Sequence, residues 1–222
     1  AEAIDDPEGY WRREAGVVDW IRPFERAANW SFDEADFRIR WFESGQLNLS
    51  VNCLDRHLAA RGDDVALIWE GDDPADTRSL TYRELHALTC RYANALRANG
   101  VAKGDRVTLY LPMIPEAAAA MLACARIGAV HSIVFAGFSP EALAGRIRDC
   151  GSRLVITADE GRRGGKAIPL KANVDAALGD LTDVRVLVVR HTGGAVAMQP
   201  GRDGWMHDAI EDVADDCAPE PM

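Results

Sequence analysis

From Asn52 onward the apolar positions alternate between helical and strand spacing. Leu54, Leu58 and Ala59 share one helical face, which predicts a helix of roughly ten residues ending before Gly62. Val65–Glu70 has strand character, and Gly71–Ser79 is a polar turn. Thr81-Tyr82-Arg83-Glu84 then forms a capping box, in which the Thr81 hydroxyl accepts from the Glu84 amide and the Glu84 carboxylate accepts from the Thr81 amide. The helix it opens places Leu85, Leu88, Tyr92, Ala95 and Leu96 on one side and stops at Gly100. Strands follow at Val107–Leu111, Ala129–Phe135, Leu154–Ala158 and Val184–Arg190. Helices are expected at Glu116–Ile127, Pro140–Cys150, Leu170–Leu178 and Trp205–Val213. Continuously apolar strands, each followed by a helix, predict an α/β fold with a parallel sheet flanked by helices on both faces. No internal repeat is visible.

The first 42 residues are different. Nine of the 16 aromatic residues fall there, from Tyr10 to Phe42, and Pro23 prevents one long helix. This predicts an irregular aromatic cap with short helices, its rings docked on the body and several of Trp11, Trp20, Trp30 and Trp41 largely buried. The chain divides into a cap at 1–51, an α/β body at 52–213 and an acidic end at 214–222.

The net charge of −10 argues against general nucleic-acid binding, and much of it belongs to the end of the chain. Residues 203–222 contain seven acidic residues and no Lys or Arg. Five widely spaced cysteines without a C-x-x-C pair indicate reduced thiols and a cytoplasmic location. No apolar run has the length of a membrane span, and residues 1–11 lack the pattern of a secretory signal.

In open parallel sheets ligands collect beyond the carboxyl ends of the strands, which directs attention to the loops after residues 111, 135, 158 and 190. Phe135-Ala136-Gly137-Phe138-Ser139-Pro140 is suited either to approach a phosphate or simply to turn, with Ser139 capping the next helix. Asp159-Glu160-Gly161-Arg162-Arg163-Gly164-Gly165-Lys166 gathers three cations around glycines that let backbone amides approach an anion. It is a candidate anion site; a solvated basic turn offset by Asp159 and Glu160 is the other reading. There is no Walker-type phosphate loop and no G-x-G-x-x-G fingerprint, and the five histidines have no metal-ligand spacing. Ser139 lacks a nucleophile elbow, and Cys124 lies within an alanine-rich helix. No catalytic or metal-binding residue is nominated.

Taken together, Trp41-Phe42, Gly45-Gln46-Leu47-Asn48, Asn52-Cys53-Leu54-Asp55-Arg56-His57-Leu58 and Leu80-Thr81-Tyr82-Arg83-Glu84-Leu85 resemble the opening of the acetyl-coenzyme A synthetases (acetate–CoA ligases) of the adenylate-forming superfamily. Further similar stretches are Leu111–Glu116, Arg126–Ser132, Phe138–Ile147 and Ile156–Gly161, in the family's order. The resemblance implies a two-step ligase: acetate and ATP give acetyl-adenylate and pyrophosphate, then the CoA thiol displaces AMP. It also implies that Arg163, Gly164, Gly165 and Lys166 hold the nucleotide phosphate end of CoA. Where the family usually has two glycines this chain has Ala136-Gly137. The phosphate loop ending in P-K-G, the adenine and acyl pockets, the Mg²⁺ ligand and the mobile C-terminal domain with its lysine lie downstream of Met222 in the family. The expectation is an N-terminal fragment, inactive alone, whose partners are ATP, CoA, acetate and the remainder of the parent chain, with no nucleic acid and no membrane. A stand-alone CoA- or nucleotide-binding module and a propionate-preferring ligase are the alternatives.

Overall fold

The structure is a computed structural model that describes residues 2–179 and 181–222. Helices α1 (Glu2–Asp5) and α2 (Pro7–Glu14) lead into a hairpin of strands β1 (Arg26–Ser31) and β2 (Arg38–Glu43). A wide turn at Val51–Asp55 continues into α3 (Arg56–Arg61). A second antiparallel hairpin follows, β3 (Val65–Glu70) and β4 (Thr77–Thr81). The body then runs α4 (Tyr82–Ala98), β5 (Arg106–Tyr110), α5 (Pro115–Arg126), β6 (Val130–Ile133), α6 (Pro140–Cys150) and β7 (Leu154–Ala158). It continues with β8 (Gly161–Arg163), β9 (Lys166–Ile168), α7 (Leu170–Leu178), β10 (Arg185–Val189), β11 (Asp203–Trp205) and α8 (Met206–Glu211).

The central sheet has the order β11-β10-β7-β5-β6, and every pairing in it is parallel. From β5 the chain steps outward to β6, then crosses back over β5 to reach β7. Right-handed crossovers in opposite directions put their helices on opposite faces. Accordingly α5 packs with α4, which also meets α8, whereas α6 packs with α7. Val107, Leu109, Val155, Ile156, Val186 and Val188 fill the space between the two layers. Ala119, Ala120 and Ala123 are fully buried, and their small side chains let α5 lie close against α4 and the sheet.

Several expectations need correction. Val65–Glu70 is a strand, but it pairs with β4 outside the parallel sheet; β4 begins inside the stretch read as a polar turn. Its Thr-Arg-Ser composition reflects a face turned to solvent, while Leu67 and Leu80 pack against Leu54, Leu85 and Ala119. The helix expected from Trp205 starts at Met206, because Asp203–Trp205 pairs with β10. The basic loop is a hairpin rather than a loop.

The aromatic cap also departs from expectation. Its rings pack mainly on one another, Trp11 and Trp30 against Trp41 and Trp20 against Phe24 and Phe42. Trp30 and Trp41 remain 38% and 43% exposed, and Trp11 and Trp20 are half-buried. Polar clamps fasten the cap instead. The Asn52 side chain accepts from the Asp19 amide at 2.7 Å and donates to the Asp19 carbonyl at 3.0 Å. The Arg56 guanidinium donates to the Val17 carbonyl at 2.9 Å.

The acidic end returns across the body. Leu47 and Met222 exchange backbone hydrogen bonds at 2.9 and 3.1 Å. Between them lies Asn48, fully buried, whose amide donates to the carbonyls of Ala125, Arg126 and Glu220 and whose oxygen accepts from the Ser50 amide at 2.9 Å. Beside it the buried Arg126 makes a two-pronged pair with Asp55, at 2.8 and 2.9 Å, and donates to the Cys217 carbonyl at 2.6 Å. His86 Nε2 approaches the same carboxylate at 3.4 Å.

Candidate functional site

The strand order reverses at β5, so a crevice is expected beyond the carboxyl ends of β5, β6 and β7. A cleft of about 790 Å³ opens there. One wall is the β5–α5 loop, Leu111 to Ile114, whose Met113 carbonyl accepts from Trp69 Nε1 at 2.7 Å. Another is the segment Phe135–Phe138, and a third is the β8–β9 hairpin.

Polar groups at the ends of β5 and β7 brace this region. Tyr110, the last residue of β5, is buried, and its hydroxyl lies 2.9 Å from the Phe138 carbonyl and 3.1 Å from that of Ala136. Asn173 of α7 donates to that hydroxyl at 3.2 Å. Asp159, directly after β7, is fully buried, and its carboxylate accepts from the amides of Glu160, His191, Thr192 and Gly193. It therefore fixes the loop after β10 to the end of β7. Ser139 caps α6 by accepting from the Ala142 amide.

Arg163, Gly164, Gly165 and Lys166 form the tip of the hairpin. Gly164 and Gly165 have φ of +57° and +74°, the left-handed pair that a tight two-residue turn requires. Nothing lies within 4 Å of where a Cβ would stand on either, so the glycines serve backbone conformation rather than a close approach to the protein. Arg163 and Lys166 are register partners, so their side chains project from the same face of the hairpin. The Arg163 guanidinium lies over the Phe135 ring, 5.5 Å from its centre. Phe135 meets Phe138 edge-on, and Arg146 covers Phe138 in turn at 5.3 Å. Two arginines stacked on two phenylalanines thus border the apolar cleft, and both guanidinium groups are exposed.

The glycine amides have a partner that sequence reasoning missed. Gly164 donates to Asp72 Oδ1 at 3.0 Å and Gly165 to Oδ2 at 2.6 Å. These two bonds, that from Gly165 foremost, hold the Asp72 carboxyl below its ordinary range. Asp72 lies in the β3–β4 turn, about 90 residues from the hairpin, a separation no local pattern reveals.

Among the described residues no cluster of three or more His, Cys, Asp and Glu is arranged to hold a metal ion. Burial pushes the Cys124 thiol up to about 12, which removes it from nucleophilic chemistry. His86 has a carboxylate partner that spacing did not reveal: its contact with Asp55, followed by that with Cys90, raises it to about 9, so it is charged at neutral pH.

A parallel sheet with its cleft at the strand-order reversal defines an α/β ligand-binding body, and residues 54–220 match the AMP-binding enzyme family, to which the chain belongs. Residues 1–53 match the acetyl-coenzyme A synthetase N-terminus. The acetyl-coenzyme A synthetase of Parvibaculum lavamentivorans is 62% identical over 99% of this chain and 34% of its own length. That of Vibrio cholerae is 58% identical over the whole chain, again 34% of its length. The chain thus corresponds to the N-terminal region of these synthetases and spans about a third of their length. The fold is also that of the acetoacetyl-CoA synthetase from Streptomyces lividans, with a TM-score of 0.86, 24% identity, and coverage of all of this chain and 33% of that one.

Proposed function

We propose that this chain is the N-terminal part of a cytoplasmic AMP-forming acetate–CoA ligase and that its cleft receives the nucleotide end of CoA. The observation that carries the reading is identity of 62% to an acetyl-coenzyme A synthetase over nearly the whole chain. In the proposed reaction an acetate oxygen attacks the α-phosphorus of ATP and pyrophosphate leaves. The CoA thiolate then attacks the acetyl carbonyl, and AMP departs with the bond electrons. Carboxylate oxygen is a poor leaving group, and adenylation makes it a good one.

The contribution of these 222 residues is binding and orientation. The Arg163 guanidinium, held over Phe135, and the Lys166 side chain on the same face of the hairpin supply charge-assisted donors for a phosphate. With the glycine amides directed to Asp72, the phosphate falls to the two cationic side chains. Phe135 and Phe138 offer apolar faces for the base. No cluster of carboxylates among the described residues is suited to hold Mg²⁺. We expect the 222 residues alone to release no pyrophosphate from ATP and acetate, and acetate-dependent release would refute that expectation.

The reading is tested in the complete ligase with Arg163→Ala. The KM for CoA should rise roughly threefold to thirtyfold, the range of one charge-assisted contact at a partly screened site. Acetate-dependent ATP–pyrophosphate exchange should stay near wild type, because CoA enters only at the second step. Loss of the exchange with unchanged KM for CoA would reject the assignment. Lys166→Ala should have the smaller effect, since an ammonium lacks the planar fork of a guanidinium.

A further inference from the structure

The β8–β9 hairpin has three residue pairs and a turn without side chains. An isolated hairpin of that size is marginal in water. Two successive amides at positive φ make a concave anion nest, and the nest at Gly164 and Gly165 is filled by the Asp72 carboxylate, one oxygen to each amide. Among the described residues, Asp72 alone reaches the amides of this turn with a side-chain hydrogen bond. Asp72 stands in the six-residue turn of the neighbouring hairpin, which the Gly71 amide closes by donating to the Asp76 carbonyl at 2.8 Å. β3 of that hairpin is tied to one wall of the cleft by the Trp69 bond to the Met113 carbonyl. The tip is therefore connected to the body through Asp72, and of the two side chains that flank it on one face of the hairpin, Arg163 lines the cleft and Lys166 is its register partner.

We propose that Asp72 is a positioning residue: it latches the turn of the β8–β9 hairpin so that Arg163 and Lys166 are held ready for the phosphate of a nucleotide ligand. This rests on reading the hairpin as the phosphate-binding element of the cleft. The latch has a second effect. A carboxylate in the nest repels a ligand phosphate from the tip and leaves the Arg163 and Lys166 face as the place for it.

Two measurements test the proposal. The first needs no ligand: amide hydrogen exchange at Gly164 and Gly165 should be faster in Asp72→Asn and Asp72→Ala than in the wild-type chain, with the melting temperature unchanged. Unchanged exchange overturns the latch. The second is calorimetric titration of the wild-type chain and variants with CoA and with dephospho-CoA. Both Asp72 variants should bind CoA roughly threefold to tenfold more weakly, as expected when a preorganised contact must be ordered on binding, and Asp72→Glu should recover part of the loss. The penalty of Arg163→Ala should be smaller on the Asp72→Ala background than on wild type, since the latch acts through Arg163. Tighter CoA binding by Asp72→Ala would make the carboxylate a competitor and overturn the proposal. If wild type and Arg163→Ala bind CoA equally, the reading of the hairpin itself fails, and the latch with it, whatever the exchange data give.

Discussion

Asp55→Asn should remove both stability and a pH dependence of stability. Asp55 holds the buried Arg126 in a two-pronged pair and also faces His86. Its own carboxyl, though raised by partial burial, is driven below the ordinary range by His86 and Arg126 together. The substitution leaves a guanidinium, with a side chain 4% exposed, next to a histidine without its counter-charge. Removing one partner of a buried pair costs about 3 to 5 kcal/mol, and the partial exposure of Asp55 reduces that to about 2 to 4 kcal/mol. The histidine adds a pH signature. His86 is raised in the folded protein from 6.5 to about 9, so its contribution is fully present below pH 6.5 and is lost as pH rises through about 9. Such a shift corresponds to about 3 kcal/mol, of which Asp55 supplies the larger share. In urea unfolding followed by tryptophan fluorescence, the stability gap between wild type and Asp55→Asn should be widest near pH 6. It should narrow by about 2 to 3 kcal/mol between pH 6.5 and 9.5. A gap that stays constant over that interval would refute the role given to His86.

Asn48→Ala strips three carbonyls of a buried donor and two amides of an acceptor, and should lower unfolding free energy by about 2 to 4 kcal/mol. The same variant should expose residues 214–222 to limited proteolysis, which a protected tail would contradict. Among the thiols, Cys124 is buried with its pKa pushed up to about 12, whereas Cys53 is exposed. Mass spectrometry after brief maleimide treatment of the native chain should find Cys53 modified and Cys124 unmodified; labelling of Cys124 before unfolding would contradict the packing of α5.

The parts of the fold that were legible depend on local chemistry. The Thr81–Glu84 capping box is formed as written, with the Glu84 amide 3.2 Å from the Thr81 hydroxyl and the Thr81 amide 2.8 Å from the Glu84 carboxylate. Gly100 follows the helix at φ +85°, the conformation that made glycine the expected residue there. The strands Val107–Leu111, Leu154–Ala158 and Val184–Arg190 declared themselves because burial on both faces demands an unbroken apolar run. Strands β4, β8, β9 and β11 did not, because they are partly solvated, three of them only three residues long, and none is a continuous apolar run, so their pairing partners rather than their own side chains make them strands. The same holds at the cleft. Arg163 and Lys166 announced themselves by charge and spacing, but Asp72 and Asp159 act on amides far along the chain. The cap misled for a related reason: nine aromatic rings in 42 residues signalled burial, yet they found enough partners in one another to leave two tryptophans exposed.

Two of the stretches that carry the family resemblance prove to be one structural device. Asn52–Leu58 supplies Asp55, and Arg126–Ser132 supplies the arginine that pairs with it 71 residues later. The pair sits where α5 ends, and the cleft sits where α5 begins, at Ile114 and Pro115. A helix of 12 residues separates the two places by about 18 Å. In this structure these stretches join cap, body and chain end rather than line the cleft. The proposed ligand contacts lie at the other end, in Phe135, Arg146, Arg163 and the hairpin whose tip Asp72 holds. Because the two ends are connected by a rigid alanine-rich helix, a weakened anchor lowers the stability of the whole body and leaves the shape of the cleft in the folded molecules unchanged. A loosened hairpin does the reverse, altering ligand affinity with almost no effect on the unfolding of the core.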